Sequence, residues 1–258
     1  MLKFIKTATG GGISTISLAR PDLHNAFNDD MMREIIGVIV SLGASPDVRV
    51  IVLAGEGKSF CAGADVNWMK RMVDYTVEEN IADANILAKM LRAIRECPRP
   101  VIARVHGAAY GGGVGLVAAC DMAVATAGAT FCLSEVKLGI VPAVISPFVI
   151  EKIGMSAARR YALTAERFDA AEARRIGLIS DFVDSADKLD GWIEGIVRHI
   201  AANGPAAVAA CKRILSRVAG QDWDYAQGFT TGEIARIRVS PEGQEGLKAF
   251  LEKRPPKW

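Results

Sequence analysis

Two apolar, β-branched runs, each passing straight into a loop of small residues and then a helix, do most to limit what this chain can fold into. Val48–Leu53 reads VRVIVL and Val101–Val105 reads VIARV. Runs without regular polar alternation mark strands covered on both faces, as in helix-flanked parallel sheets. The first run leads into Gly55, Gly57 and Ser59 and then Cys61-Ala62-Gly63-Ala64-Asp65. The second leads into His106-Gly107-Ala108-Ala109-Tyr110-Gly111-Gly112-Gly113. Ile13–Leu18, Met122–Ala125 and Thr130–Leu133 add shorter β-type runs. Helices are predicted from Asn28 or Asp29 to about Leu42, from near Asp65, from Thr76 to before Pro98, and from the glycine loop to about Cys120. The recurrence of strand, loop and helix predicts an α/β arrangement of ββα-like units.

From Pro142 onward the pattern turns almost entirely helical. Apolar periodicity runs through Ala157–Leu163, Ala170–Ile176, Leu189–Ile200, Ala206–Val218 and Trp223–Ile237. The chain therefore divides into an α/β core over residues 1–190 and a helical region over 191–258. Such a region is suited to packing on a neighbouring subunit.

Composition narrows the function classes. Half of the 258 residues are hydrophobic and 23% are charged, so a substantial core is available. The mean hydropathy of +0.21 points to subunit interface rather than membrane. Val101–Leu133 is the longest apolar region, yet Arg104, His106, Asp121 and Gly111–Gly113 interrupt it, short of the roughly 18 apolar residues of a spanning helix. A net charge of +2 from interspersed charges leaves no electrostatic footprint for nucleic acid. Cys61, Cys97, Cys120, Cys132 and Cys211 show no CxxC spacing and suit buried thiols in a reducing compartment. Met1-Leu2-Lys3-Phe4 lacks the layout of a signal peptide, so a cytoplasmic location is expected.

Each glycine loop sits between a buried strand and a helix, where the first helical N–H groups lack internal partners. Two such loops on neighbouring strands could aim two N–H groups at one developing oxyanion. Read by spacing alone, the glycines do no more than permit tight turns. A dinucleotide loop fits worse, because no GxGxxG opens a helix after the first strand. A phosphate loop would need GK[ST] after the glycines, and that is absent.

FCAGAD (Phe60–Asp65), HGAAYGGGVGLVAACD (His106–Asp121) and LSEVKLGIVP (Leu133–Pro142) resemble the signatures of the crotonase, or enoyl-CoA hydratase/isomerase, superfamily in order and spacing. RPDLHNAF (Arg20–Phe27) and AFLEKRPPKW (Ala249–Trp258) are similar to that family's first and last motifs, so the resemblance spans nearly the whole chain. It implies a spiral of ββα units with a helical C-terminal oligomerisation region, assembled as a homotrimer or dimer of trimers. It implies an acyl-CoA substrate, with coenzyme A entering as part of that substrate, and neither a permanent cofactor nor a metal. By the resemblance, the backbone N–H groups of Ala64 and Gly112 hold the thioester oxygen, and Ala26, Ala62 and Val66 lie along the coenzyme A channel. His24, Gly63, Asp65, Gly111 and Ser134 belong to the same segments. Lys253 matches a lysine that can reach a coenzyme A phosphate, although an ordinary solvated lysine is an equal reading. Asp65 and Asp121 read first as capping or structural acids.

Family hydratases commonly use two glutamates. Glu135 matches the second, whereas the first falls on Gly115. Burial beside a thioester would raise the Glu135 pKa and suit it to proton transfer. Three outcomes stay open: Glu135 serves both proton transfers of a hydratase, shuttles one proton in an isomerase, or is helped by a carboxylate on the substrate. A catalytically inactive acyl-CoA-binding scaffold is the non-enzymatic alternative. Gly115→Glu is expected to restore or improve hydration of simple enoyl-CoAs. After Pro142 many hydratases carry GxGGTQ, where this chain has Ala143-Val144-Ile145-Ser146-Pro147-Phe148. Together with ARRYALTAERFDAAEA (Ala158–Ala173), that departure resembles the bacterial methylglutaconyl-CoA hydratase branch. A dicarboxylic acyl group would want a cation, for which Lys70, Arg71 and Arg104 are candidates.

Overall fold

The computed structural model describes residues 2–258. Its strands are β1 (Ile5–Gly10), β2 (Ile13–Leu18), β3 (Val50–Gly55), β4 (Val101–Val105), β5 (Ala108–Tyr110), β6 (Met122–Thr126), β7 (Thr130–Cys132), β8 (Phe168–Asp169) and β9 (Asp181–Val183). The helices are α1 (Asp29–Ala44), α2 (Val66–Met72), α3 (Val77–Glu96), α4 (Gly112–Ala119), α5 (Ser146–Thr164), α6 (Ala170–Arg175), α7 (Ala186–Ala201), α8 (Pro205–Val218), α9 (Trp223–Val239) and α10 (Pro241–Leu251). A six-stranded sheet runs β1-β2-β3-β4-β6-β9, antiparallel only at β1, and a three-stranded sheet runs β5-β7-β8.

The two apolar runs form the sheet centre, and their residues divide between two cores. Ile51, Leu53, Ala103 and Val105 face the large core with α1, α3 and α4, while Val50, Val52, Ile102 and Val124 face Leu189, Ile193 and Val197 of α7. Residue 190 thus falls inside a helix that covers the sheet, and the helices beyond it are α8, α9 and α10. Lys212 docks α8 on the core: its ammonium donates to Asp121 Oδ2 at 2.7 Å and to the Arg99 carbonyl at 3.1 Å. The same Asp121 oxygen accepts the Val101 N–H at 2.7 Å, so this acid ties the sheet to α8 and caps no helix, the structural one of its two expected readings.

Side chains fix the predicted helix starts. Asn28 caps α1, Asp65 caps α2, and Thr76 with Glu79 closes a capping box on α3. Four strands depart from the sequence reading. β1 is an exposed edge strand, β5 lies within the glycine loop, and β8 and β9 are short strands in the stretch expected to be helical. Strands of two or three residues carry too little alternation to be seen in a sequence. Four cysteines are buried, and burial pushes Cys61 and Cys120 up to about 12, whereas Cys211 is exposed, contrary to expectation. Among the described residues no helix is long and apolar enough to cross a membrane.

Candidate active site

The site begins with the Arg20–Phe27 segment, which acts as a clamp. The Arg20 guanidinium donates to the Ala26 carbonyl at 2.6 Å and pairs with the Asp65 carboxylate. The buried Asn25 amide donates to the Glu56 and Ser59 carbonyls, both at 2.8 Å, and its oxygen accepts the Arg20 N–H. His24 and Asn25 both adopt positive φ, so this is a tight hook. Phe27 then pairs with Ala64 in a parallel bridge, through Phe27 N–H to the Gly63 carbonyl and Asp65 N–H to the Phe27 carbonyl, each 2.9 Å. On the other side Cys61 bridges Ala109. The Cys61–Asp65 loop is therefore stitched between the hook and β5.

That stitching brings the two glycine loops together. A Cβ built on Gly63 would stand 2.9 Å from the Tyr110 carbonyl oxygen and 3.6 Å from the Gly112 nitrogen, and Gly63 has φ of +98°. Only glycine meets both demands. Gly111 has φ of +51° and turns the chain from β5 into α4. Neither the Ala64 N–H nor the Gly112 N–H donates to another group among the described residues. Gly112 opens α4, where such donors are unused, and Ala64 lies just before the Asp65 cap of α2.

Glu135 opens a 3-10 turn (Glu135–Leu138) after β7. Its Oε1 lies 3.2 Å from the point where a Gly111 Cβ would stand, and Ser134 Oγ lies 3.6 Å from that point. The carboxylate thus covers the start of α4, next to Gly112. Its Oε2 is buried with no hydrogen-bond partner among the described residues. Burial pushes the Glu135 pKa above the usual carboxylate range, against a smaller opposing effect of its own backbone N–H. A partly buried acid with one unpartnered oxygen gains no stabilising hydrogen bond there, which makes it a candidate for proton transfer.

Several expected residues do other work. Asp65 gives one oxygen to the Asn67 N–H and the other to Arg20, which leaves none for a ligand through its side chain. Burial alone would favour the neutral acid, but Arg20 and the α2 amides win and hold its pKa low. Arg104 turns away from the loops to pair with Asp190 of α7 at 2.7 Å, which removes it as a cation for the acyl pocket. Arg71 pairs with Asp29 at 2.7 Å, and Lys70 forms no ion pair among the described residues. Around the hook, the His24 ring meets Ser59 Oγ at 3.0 Å, the Ala62 N–H donates to the His24 carbonyl, Ala26 is buried and Val66 is exposed. Lys253 stands exposed after α10, which packs on α9 and α8. Arg20 and Asn25 organise the hook, and the sequence singles them out only as part of the RPDLHNAF motif.

The packing around Gly115 argues against the expected benefit of Gly115→Glu. A Cβ on Gly115 would stand 2.3 Å from Ile145 Cγ2 and 2.9 Å from Ile145 Cβ. The space that a first glutamate would need is already filled.

Two adjoining glycine loops, two amides without an acceptor and a carboxylate with one buried, unpartnered oxygen thus share one part of an α/β fold. The chain belongs to the enoyl-CoA hydratase/isomerase family, whose profile matches residues 8–258. It is 31% identical to a putative enoyl-CoA hydratase of Thermus thermophilus, over 96% of this chain and 98% of that protein. It is 32% identical to the peroxisomal Delta(3,5)-Delta(2,4)-dienoyl-CoA isomerase of Arabidopsis thaliana, over 100% of this chain and 96% of that one. Among solved structures, an enoyl-CoA hydratase from Shewanella pealeana superposes with a TM-score of 0.95 at 43% identity, covering 100% of this chain and 96% of that one. The fold is the α/β crotonase fold expected from the sequence.

Proposed function

We propose that the cleft takes an α,β-unsaturated acyl-CoA thioester and adds water across its double bond. The observation that carries this reading is the buried, unpartnered Oε2 of the Glu135 carboxylate at the start of α4. The thioester oxygen accepts hydrogen bonds from Ala64 N–H and Gly112 N–H, which stabilise the enolate as water adds to the β-carbon. Glu135, as the carboxylate, takes a proton from that water and returns it to the α-carbon, so that one water is gained overall. Methylglutaconyl-CoA is the proposed substrate. Its own carboxylate would help place the water, and Lys70 is the one of the three candidate cations that neither pairs with an acid nor faces away. Coenzyme A runs past His24, Ala26, Ala62 and Val66, and Lys253 meets a phosphate of it.

Incubation with methylglutaconyl-CoA and product mass tests this directly: the gain of one water supports hydration, and no product rejects it. A second reading, double-bond isomerisation, is favoured by the Ile145 side chain that occupies the space beside Gly115. There Glu135 would move one proton from the α- to the γ-carbon of a 3-enoyl-CoA, leaving mass unchanged. The trimer or dimer of trimers is supported by large exposed apolar residues on the last three helices, including Leu215, Trp223, Val239, Phe250 and Leu251. Residues 191–258 would then serve assembly and close the coenzyme A channel, in a cytoplasmic enzyme.

A further inference from the structure

Gly111 caps α4 from just before its first residue, and its carbonyl accepts the Gly115 N–H at 3.3 Å, so the two glycines lie one helical turn apart. The Glu135 carboxylate covers the first, and Ile145 covers the second. One helical turn beyond the acid, the surface is therefore an isoleucine side chain. Ile145 also lines a cavity of about 360 Å³, together with Leu133, Pro142, Val149, Ala158 and Ala162. The cavity lies along α5, which kinks at Gly154, and Leu133 ties it to the segment that carries Glu135. Ile145 thus stands between the acid's surroundings and an apolar cavity.

It is also held firmly there. The side chain is buried, at 2% exposure, and is pressed against the bare backbone of Gly115. A β-branched residue has few χ1 states, so it does not swing aside at little cost. We infer that Ile145 is a specificity-determining residue, a partition against which the acyl chain of the thioester ends and beyond which an apolar cavity lies unused. The ligands that the partition selects are short acyl-CoA thioesters; cutting it back admits longer, apolar ones. This rests on the acyl-CoA reading above.

The test uses saturated acyl-CoAs from butyryl to dodecanoyl, which bind without reacting, titrated calorimetrically into the full-length protein. In the unmodified protein, affinity levels off at a short chain. In Ile145→Ala it continues to rise, by about fourfold for each further buried methylene. Adding Ala162→Phe to Ile145→Ala fills the cavity and brings the plateau back to short chains. Ile145→Val, a smaller change, extends the plateau by a shorter step and serves if the alanine variant fails to fold. A folded Ile145→Ala or Ile145→Val with the unmodified chain-length curve overturns the partition. Absence of butyryl-CoA binding by the unmodified protein overturns the acyl-CoA reading itself, and the partition with it.

Discussion

Replacing Gly115 by alanine tests the packing that leaves Glu135 as the lone acid of the cleft. On the existing backbone the new methyl would sit 2.3 Å from Ile145 Cγ2, far inside contact distance. Helix propensity favours alanine over glycine by about 1 kcal/mol. Overpacking a core opposes it by about 1–3 kcal/mol, and the stiff Ile145 side chain argues for the upper part of that range. The expected net effect is a loss of about 1–2 kcal/mol. Ile145→Ala alone empties buried volume and should cost about 2–5 kcal/mol. In the double variant the methyl at 115 enters space that Cγ2 has vacated, so the clash disappears while the propensity gain remains. The double variant should then exceed the sum of the singles by about 1–3 kcal/mol, as direct neighbours do. Urea denaturation of the four proteins measures this coupling. Additivity within about 0.5 kcal/mol would refute the contact.

The same logic predicts that Gly115→Glu alone is destabilised and hydrates no better. Gly115→Glu with Ile145→Ala should gain hydration of crotonyl-CoA, by up to about 10²-fold relative to Gly115→Glu alone in steady-state assays; a well-folded single variant that matches the double would contradict it. Glu135→Gln should lose about 10²- to 10⁴-fold in kcat while retaining acyl-CoA binding. Because burial raises the Glu135 pKa and the carboxylate is the working form, kcat/KM should fall as pH drops through a value above the usual carboxylate range. A profile flat down to that range would remove Glu135 as the base. Gly63→Ala forces a methyl to within 2.9 Å of the Tyr110 oxygen at a positive φ, displacing the Ala64 amide, so kcat should drop by about 10²-fold in turnover assays. Arg20→Ala strands a buried Asp65 and should cost about 3–5 kcal/mol, a fall of roughly 10 °C or more in Tm by calorimetry. The pKa of Asp65 is lowered in the folded protein, so its contribution to stability is present above the ordinary aspartate value and is lost as pH falls through the lowered one. The unmodified protein should therefore lose its advantage over Arg20→Ala in acid, and an unchanged difference would deny the pair its role.

Much of the architecture was legible because strong local signals and topology agree. Apart from Arg104, VIARV and the apolar centre of VRVIVL show no polar face, and the structure covers both faces of their strands, one with α1 and α3 and the other with α7. Asn28, Asp65 and Thr76 announce helices because each side-chain oxygen meets an unpaired amide. β5, β8 and β9 stayed hidden because strands this short owe their existence to partners far along the chain: β5 to β7, β8 to β7 and β9 to β6. Charge placement was likewise invisible. Arg104 sits in the middle of an apolar strand, and only the fold shows that it faces α7 and Asp190.

Glu135 and Gly115 show why the chemistry of the cleft was half legible. Glu135 stands in a motif whose neighbours in sequence are its neighbours in space, so the motif alone points to it. Gly115 invited the conclusion that a carboxylate had simply been lost and could be put back. The structure makes position 115 inseparable from position 145, which caps α5 and becomes its neighbour only through the packing of α4 on α5. A glycine on α4 lets a β-branched side chain lie directly on the helix backbone, and that side chain in turn denies space to any acid there. The missing glutamate is thus one half of a packed pair, and chemistry on that face of the cleft can change only when both residues change together.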